Sequence, residues 1–299
     1  MSKILITGVD GFTGRYLAKE LERNGHEVHG LVRNQVSGDV AGVSALHVAD
    51  LSDAAGLAAV VREVQPGKVV HLAAIAFVAH GDVEAIYRTN LVGTRNLLEA
   101  LTQNKAPLDA VLLASSANVY GNSVGGVLDE NTPPAPANDY SVSKLAMEFA
   151  ARLYADRLPL ILARPFNYTG VGQEESFLIP KIVSHVRRRA PLIELGNLDV
   201  ARDFSDVRNV VQLYRRLLEA PAAVGQTFNV CSGKAWSLND VLTMVREISG
   251  HDFEVRVNPA FVRQNEVKTL VGSRAKLDSV VGEVPEILLR DTLRWMLEA

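Results

Sequence analysis

The sequence predicts an α/β protein, with a doubly wound parallel sheet followed by a smaller C-terminal α/β lobe. Three observations predict it. Strand-length apolar runs alternate with helix-period segments from residue 3 to about residue 165. A glycine triplet stands at the first strand-to-helix junction. The composition, 47% hydrophobic and 22% charged, is that of an ordinary soluble globule. At 299 residues the chain reaches the upper limit for one hydrophobic core, so one large domain with a smaller lobe is expected.

The elements follow in order. "KILITG" is a short apolar run ended by Gly8 and reads as a buried strand. "GRYLAKELERNG" has apolar residues at helical spacing and stops at Gly25, a C-cap signal. "EVHGLVR" is a strand, "GLAAVVREV" a helix and "KVVHLAA" another buried strand. "EAIYRTNLVGTRNLLEALTQN" predicts one long helix, and "DAVLLASS" a strand. "DYSVSKLAMEFAARLYADR" is a helix and "LPLILARPF" a strand. Such alternation implies βαβ units and a parallel sheet covered on both faces. Beyond residue 165 the pattern changes. Prolines and loops become more frequent, with strand-like pieces at "RDFSDV" and "QTFNVC" and helices at "VVQLYRRLLEA" and "LNDVLTMVREISG". The expected division is residues 1–165 and 166–299, with segments near 203–232 returning to the first sheet.

Composition excludes several function classes. A net charge of −3 and a pI near 6.2 offer no electrostatic case for nucleic acid or an anionic membrane surface. The densest basic run, Arg187 to Arg189, reads as a solvated helix end. Cys231 is the single cysteine, so no internal disulfide can form. No apolar run reaches the ~18 residues needed to span a bilayer. The N-terminus lacks the apolar core and cleavage site of a signal peptide, so a cytoplasmic location is expected. No metal site is expected.

"TGVDGFTGR" places Gly8, Gly11 and Gly14 at three-residue spacing between a strand and a helix. Glycine permits the tight turn and lets the backbone approach a pyrophosphate. The helix N-terminus supplies free N–H groups to the phosphates. Gly14 is followed by Arg15, so this is not a Walker loop. Gly8, Gly11, Phe12, Thr13 and Gly14 are therefore expected to contact a dinucleotide. The second strand ends with Val32 and Arg33, where an acid would bind a ribose 2′-hydroxyl. Arginine there suits a 2′-phosphate, which favours NADP(H) over NAD(H), although NAD(H) remains compatible. Asp50 and Leu51 follow the third strand and are expected at the adenine edge. Leu72, Ala73 and Ala74 are small or apolar residues that let the backbone pass close to the cofactor. His71 reads as a packed strand histidine.

"DAVLLASS" delivers Ser115 and Ser116 to the carboxyl end of the sheet, where ligands bind in doubly wound folds. Tyr140 and Lys144 stand one helical turn apart. A free phenol titrates near ~10, and a neighbouring ammonium favours its ionised form. Serine, tyrosine and lysine together can move a proton at an alcohol or ketone oxygen while hydride moves at its carbon.

The spaced glycines, Asp50-Leu51, Ser116 and Tyr140-x-x-x-Lys144 together resemble the extended short-chain dehydrogenases/reductases across nearly the whole chain. These are Rossmann-fold enzymes acting on nucleotide sugars. The resemblance implies Tyr140 as acid/base, Lys144 on the nicotinamide ribose and Ser116 positioning the sugar oxygen. "ARPFNYTGVGQ" resembles the family's nicotinamide and sugar loop, with Asn167 contacting substrate. "GNLDVARDFSDV" and "NPAFVRQNEV" resemble the branch acting on GDP-mannose derivatives. There Arg202 and Arg263 suit a diphosphate, Glu266 suits ribose hydroxyls, and Lys181 lines the pocket. Homodimers formed through residues 84–103 and 140–156 are common in the family and expected here.

In the family's dehydratases an acidic residue lies just after the serine. Here Ala117 and Asn118 occupy those places, and neither can serve as general acid or base. Epimerising reductases use a cysteine and a histidine, yet the loop carries Tyr168 and Cys231 reads as a core residue. The closest pattern resembles the GDP-6-deoxy-D-mannose reductases, which implies hydride transfer to C4 of GDP-4-keto-6-deoxy-D-mannose, giving GDP-D-rhamnose. Two rivals stand beside it. One is a nucleotide-sugar 4-epimerase holding NAD, and the other a non-catalytic dinucleotide sensor of the same fold.

Overall fold

The computed structural model describes residues 2–76, 81–121, 126–262 and 268–299. Strand β1 (Lys3–Thr7) is central, and its Ile4, Leu5 and Ile6 are fully buried. Helix α1 (Phe12–Arg23) leads back to β2 (Glu27–Val32), which is followed by β3 (Ala45–Val48). Helix α2 (Ala54–Val64) starts where the Asp53 carboxylate accepts a hydrogen bond from the Gly56 amide at 2.9 Å. Strand β4 (Lys68–His71) ends earlier than its apolar run suggested, and Leu72 to Ala74 continue as irregular backbone.

The expected long helix is three pieces: α3 (Val83–Tyr87), a π-helical turn (Arg88–Gly93) and α4 (Thr94–Thr102). Buried Asn90 sits in the wide turn. Its side chain accepts from the Ile75 amide at 2.9 Å and donates to the Ile75 carbonyl at 3.1 Å and to Ser143 Oγ at 3.0 Å. These bonds pin a loop and a neighbouring helix to one point, which periodicity cannot reveal.

Strand β5 (Ala110–Ala114), the short β6 (Val127–Leu128) and helix α5 (Asp139–Arg152) follow. A capping box between Asn138 and Ser141 opens α5 and fixes where Tyr140 begins to turn. Strand β7 (Leu160–Pro165) then precedes β8 (Asn167–Thr169), α6 (Leu178–Arg187), β9 (Leu192–Leu195) and β10 (Ala201–Asp206). Helix α7 (Val207–Glu219) is capped by Asp206 and leads to β11 (Thr227–Val230). The rest is β12 (Ala235–Ser237), α8 (Leu238–Ser249), β13 (Glu254–Val257), β14 (Thr269–Gly272), α9 (Ala275–Val281) and α10 (Leu289–Glu298).

Seven strands form one parallel sheet in the order β3-β2-β1-β4-β5-β7-β11. Chain order reverses between β1 and β4, which opens a crevice beyond their carboxyl ends. One face packs on α1 and α7 through Leu17, Leu21, Val210 and Leu213, and the other on α2, α4 and α5 through Leu57, Leu97, Leu98 and Met147. A second sheet runs β12-β10-β14-β6, with β8 also paired to β10. Helices α6, α8 and α10 share a third core of Ile179, Ile182, Val241, Val245 and Leu293. Each such side chain contributes about 1.5–3 kcal/mol on burial. Cys231 is buried in a fourth cluster beside Phe166. Among the described residues no helix is long and apolar enough to cross a membrane.

Candidate active site

The crevice is a cleft of about 1250 Å³. That exceeds the roughly 300–1,000 Å³ of a single small-molecule pocket. Gly8, Gly11, Phe12, Thr13 and Gly14 line it, as do Leu72 and Ala74. Gly8 has φ +69°, and a Cβ there would lie 2.9 Å from the Ala73 backbone. A Cβ on Gly14 would press into the Gly8 carbonyl and stand 2.6 Å from Val9 Cα. Gly11 begins α1 with no side-chain cap, so the first helical amides are left for a ligand. A cradle that any side chain would fill, at an uncapped helix start, fits a dinucleotide pyrophosphate.

The adenine-side residues are arranged differently. Arg33 follows the end of β2 with its side chain 77% exposed, and its Nε lies 2.7 Å from Asp50 Oδ2. Asp50 also accepts from the Ser52 amide at 2.8 Å and hydroxyl at 2.7 Å. Those bonds, then Arg33, hold its carboxyl below the usual range. Leu51 is buried, and a Cβ on Gly93 of the π turn would meet its Cβ at 2.7 Å. Leu51 therefore packs against that turn.

Ser116, Tyr140 and Lys144 all line the cleft, and all three are buried. Ser116 accepts a hydrogen bond from the Asn118 amide at 3.1 Å, which leaves its hydroxyl proton to donate. It is hydrogen-bonded to Tyr140. Burial pushes the Tyr140 phenol up to about 12, and the Ser116 bond works against this. The expected lowering by the lysine is not realised: burial sets the direction, the Ser116 bond opposes it and Tyr168 adds to it. Lys144 Nζ instead donates to the Ala114 carbonyl of β5 at 2.7 Å. Burial brings this ammonium down to about 8 against the opposing pull of Glu148. His71 is a core histidine, bonded to Thr7 Oγ1 at 2.7 Å and Thr94 Oγ1 at 2.9 Å. Burial, then Lys144, lowers it to about 3, so it stays neutral.

On the second-lobe side, Asn167 lines the cleft, and its Nδ2 is buried with no partner among the described residues. Such a donor costs about 1–3 kcal/mol unless a ligand satisfies it. Arg202 also lines the cleft and donates to the Ala201 carbonyl at 2.9 Å and the Lys268 carbonyl at 3.1 Å. Lys181 Nζ sits 4.1 Å over the centre of the Phe261 ring, which itself lines the cleft. Arg263 and Glu266 lie outside the described residues.

Two further cleft residues were not among the expected contacts, although Tyr168 lies in the loop that resembles the family's nicotinamide and sugar loop. Tyr168 bonds Thr13 Oγ1 through its hydroxyl at 2.9 Å and stacks on Phe12 with centroids 6.2 Å apart. It ties the glycine turn to β8, across 155 residues of sequence. Trp295 of α10 also lines the cleft, under the Arg208 guanidinium at 3.9 Å.

The profile of the family described as GDP-mannose 4,6 dehydratase matches residues 5–296. The chain belongs to that family. It is 34% identical to a GDP-6-deoxy-D-talose 4-dehydrogenase of Aggregatibacter actinomycetemcomitans, over 94% of this chain and 91% of the relative. It is 33% identical to the GDP-6-deoxy-D-mannose reductase of Pseudomonas aeruginosa, over 99% and 96%. The solved structure of RMD from Pseudomonas aeruginosa complexed with NADPH superposes with a TM-score of 0.86, at 30% identity, covering 100% and 98% of the two chains. A solved structure from Burkholderia cenocepacia J2315 is 53% identical with a TM-score of 0.94, covering 99% and 97%. This family member is an NAD(P)-dependent oxidoreductase with the Rossmann architecture of the extended short-chain dehydrogenases/reductases. Within the family it has Ala117 and Asn118 directly after Ser116, and Ala117 is buried.

Proposed function

We propose that the enzyme reduces the 4-keto group of GDP-4-keto-6-deoxy-D-mannose with NADPH, giving GDP-D-rhamnose. The observation that carries this reading is the buried Ser116–Tyr140–Lys144 cluster with no acid at the two positions after the serine. Hydride transfer to a ketone needs one proton for the new hydroxyl, whereas elimination of water needs a further acid and base.

Gly8, Gly11 and Gly14 would hold the pyrophosphate, and Lys144 the nicotinamide ribose. When bound, NADPH would supply hydride to C4 of the sugar. Tyr140 gives the proton to O4. A phenol near 12 is fully protonated at neutral pH, as the donor in a reduction must be. Ser116 donates to the same oxygen and holds it in line. Lys144 then offsets the charge left on the phenolate. Asn167 Nδ2 and Arg202 would meet the sugar nucleotide, with Arg263, Glu266 and Lys181 completing its site.

Arg33, exposed just after β2 and paired with Asp50, is the basis for preferring NADP(H), because a guanidinium suits a 2′-phosphate. The relative named for 6-deoxy-talose supports a second outcome, hydride delivery to the other face of C4. Exposed Val92, Phe149 and Leu153 on the π turn and at α5 support a homodimer through these helices. A reaction of NADPH with a nucleotide sugar fits the cytoplasm.

The test is incubation with NADPH or NADH and GDP-4-keto-6-deoxy-D-mannose, followed by NMR of the product sugar. The expected result is stoichiometric NADPH consumption, a GDP-rhamnose product and a preference over NADH of about tenfold or more. Turnover without added reductant, or water loss from GDP-mannose, would overturn the reading.

A further inference from the structure

Behind the cleft lies a buried ion pair that the proposed reaction does not use. Glu148 of α5 is fully buried. Arg164 of β7 grips it with two bonds, Nε to Oε1 at 2.9 Å and Nη2 to Oε2 at 2.6 Å. Ser115, the neighbour of Ser116, donates its hydroxyl to Glu148 Oε1 at 2.6 Å. Arg164 Nη1 donates to the Tyr120 hydroxyl at 3.0 Å, and Tyr120 donates to Asn229 Oδ1 at 2.7 Å. Burying two charges is costly, and such a pair is weak evidence for stability alone. Its position asks for another reason.

Glu148 follows Lys144 by four residues, so both side chains share one face of α5. Among the described residues the charged and titratable groups around Lys144 are few. Tyr140 and Glu148 lie on its own helix, neutral His71 on β4, and Arg164 on β7 beyond Glu148. The π turn contributes the uncharged Asn90 through Ser143, and β5 the Ala114 carbonyl. Among the described residues Glu148 is thus the carboxylate that favours the lysine's charge.

We infer that Glu148, anchored by Arg164, is a positioning residue that keeps Lys144 protonated and, through Ser115, fixes the strand end carrying Ser116. Lys144 acts on the cofactor, and Glu148 acts through Lys144. The sign follows from the burial of Lys144. Its ammonium is present below about pH 8 and lost above it. Without the carboxylate the lysine loses its proton at lower pH, and the charge holding the ribose goes with it.

The inference builds on the cofactor side of the proposed function and is independent of which sugar is reduced. The test therefore needs no sugar. In protein labelled at lysine 13Cε, the Lys144 resonance is assigned by its loss in Lys144→Met and titrated in wild type and Glu148→Gln. NADPH affinity is followed by fluorescence over the same range. The expected result is a protonation constant about tenfold lower in Glu148→Gln, with the alkaline loss of NADPH affinity moved by the same factor. Glu148→Asp should retain most of the wild-type value. Should Glu148→Gln leave Arg164 too costly to bury, the double variant Glu148→Gln/Arg164→Gln removes both charges and should lower the constant in the same direction. A folded variant whose Lys144 titration and NADPH profile coincide with wild type would overturn the inference. If the proposed substrate is wrong, these readouts stay as expected while the sugar assay fails.

Discussion

The two ends of the cleft are built on different rules. The cofactor end is made of backbone. Gly8, Gly11 and Gly14 act by what they lack, and the α1 amides act by being uncapped. The end proposed for the sugar is made of side chains from β8, β10 and α6, with Asn167 and Arg202 among its lining. A backbone cradle recognises a diphosphate whatever it is attached to. A side-chain wall reads one ligand and rejects others by leaving buried groups unpaired. Under the proposed function the first end would serve cofactor binding in general, and the second would decide which nucleotide sugar is reduced.

Three substitutions probe this contrast. Tyr140→Phe lies between the two ends and should lower kcat by about 10²–10⁴-fold while sparing both binding events. Steady-state kinetics with NADPH fluorescence titration checks this, and a comparable loss of cofactor affinity would place the phenol in binding instead. Gly14→Ala attacks the backbone end. Its new methyl must push against the Gly8 carbonyl and Val9, which costs about 1–3 kcal/mol. Denaturant midpoint and NADPH Kd should both worsen, with the sugar KM unchanged at saturating cofactor. Asn167→Ala attacks the side-chain end. It removes a buried donor that has no partner among the described residues, so stability should hold or rise. The sugar KM should rise about tenfold and NADPH affinity should not move. An unchanged KM would remove Asn167 from the sugar wall.

Legibility in the sequence followed the same contrast. The glycine spacing and Tyr140-x-x-x-Lys144 are local patterns, and each became a local geometry at the cleft. Arg33 and Asp50 were each readable as cofactor contacts, but not as partners of one another at 2.7 Å. Leu51 looked like a cleft residue and packs against Gly93 of a π turn that periodicity rendered as plain helix. The phenol's environment also inverted the expectation. Spacing put a lysine beside Tyr140, whereas burial set its proton affinity.

By itself the sequence determined the alternation of strands and helices, the glycine cradle and the one-turn spacing of phenol and amine. These depend on backbone sterics and on periods of two or 3.6 residues, which act between near neighbours. Only the tertiary structure decided that Tyr168 clasps Thr13, that Trp295 reaches the cleft and that Arg164 steadies Glu148 behind Lys144. Contacts between residues far apart in the chain are fixed by how whole layers pack, and burial then sets the charge of whatever lies between them.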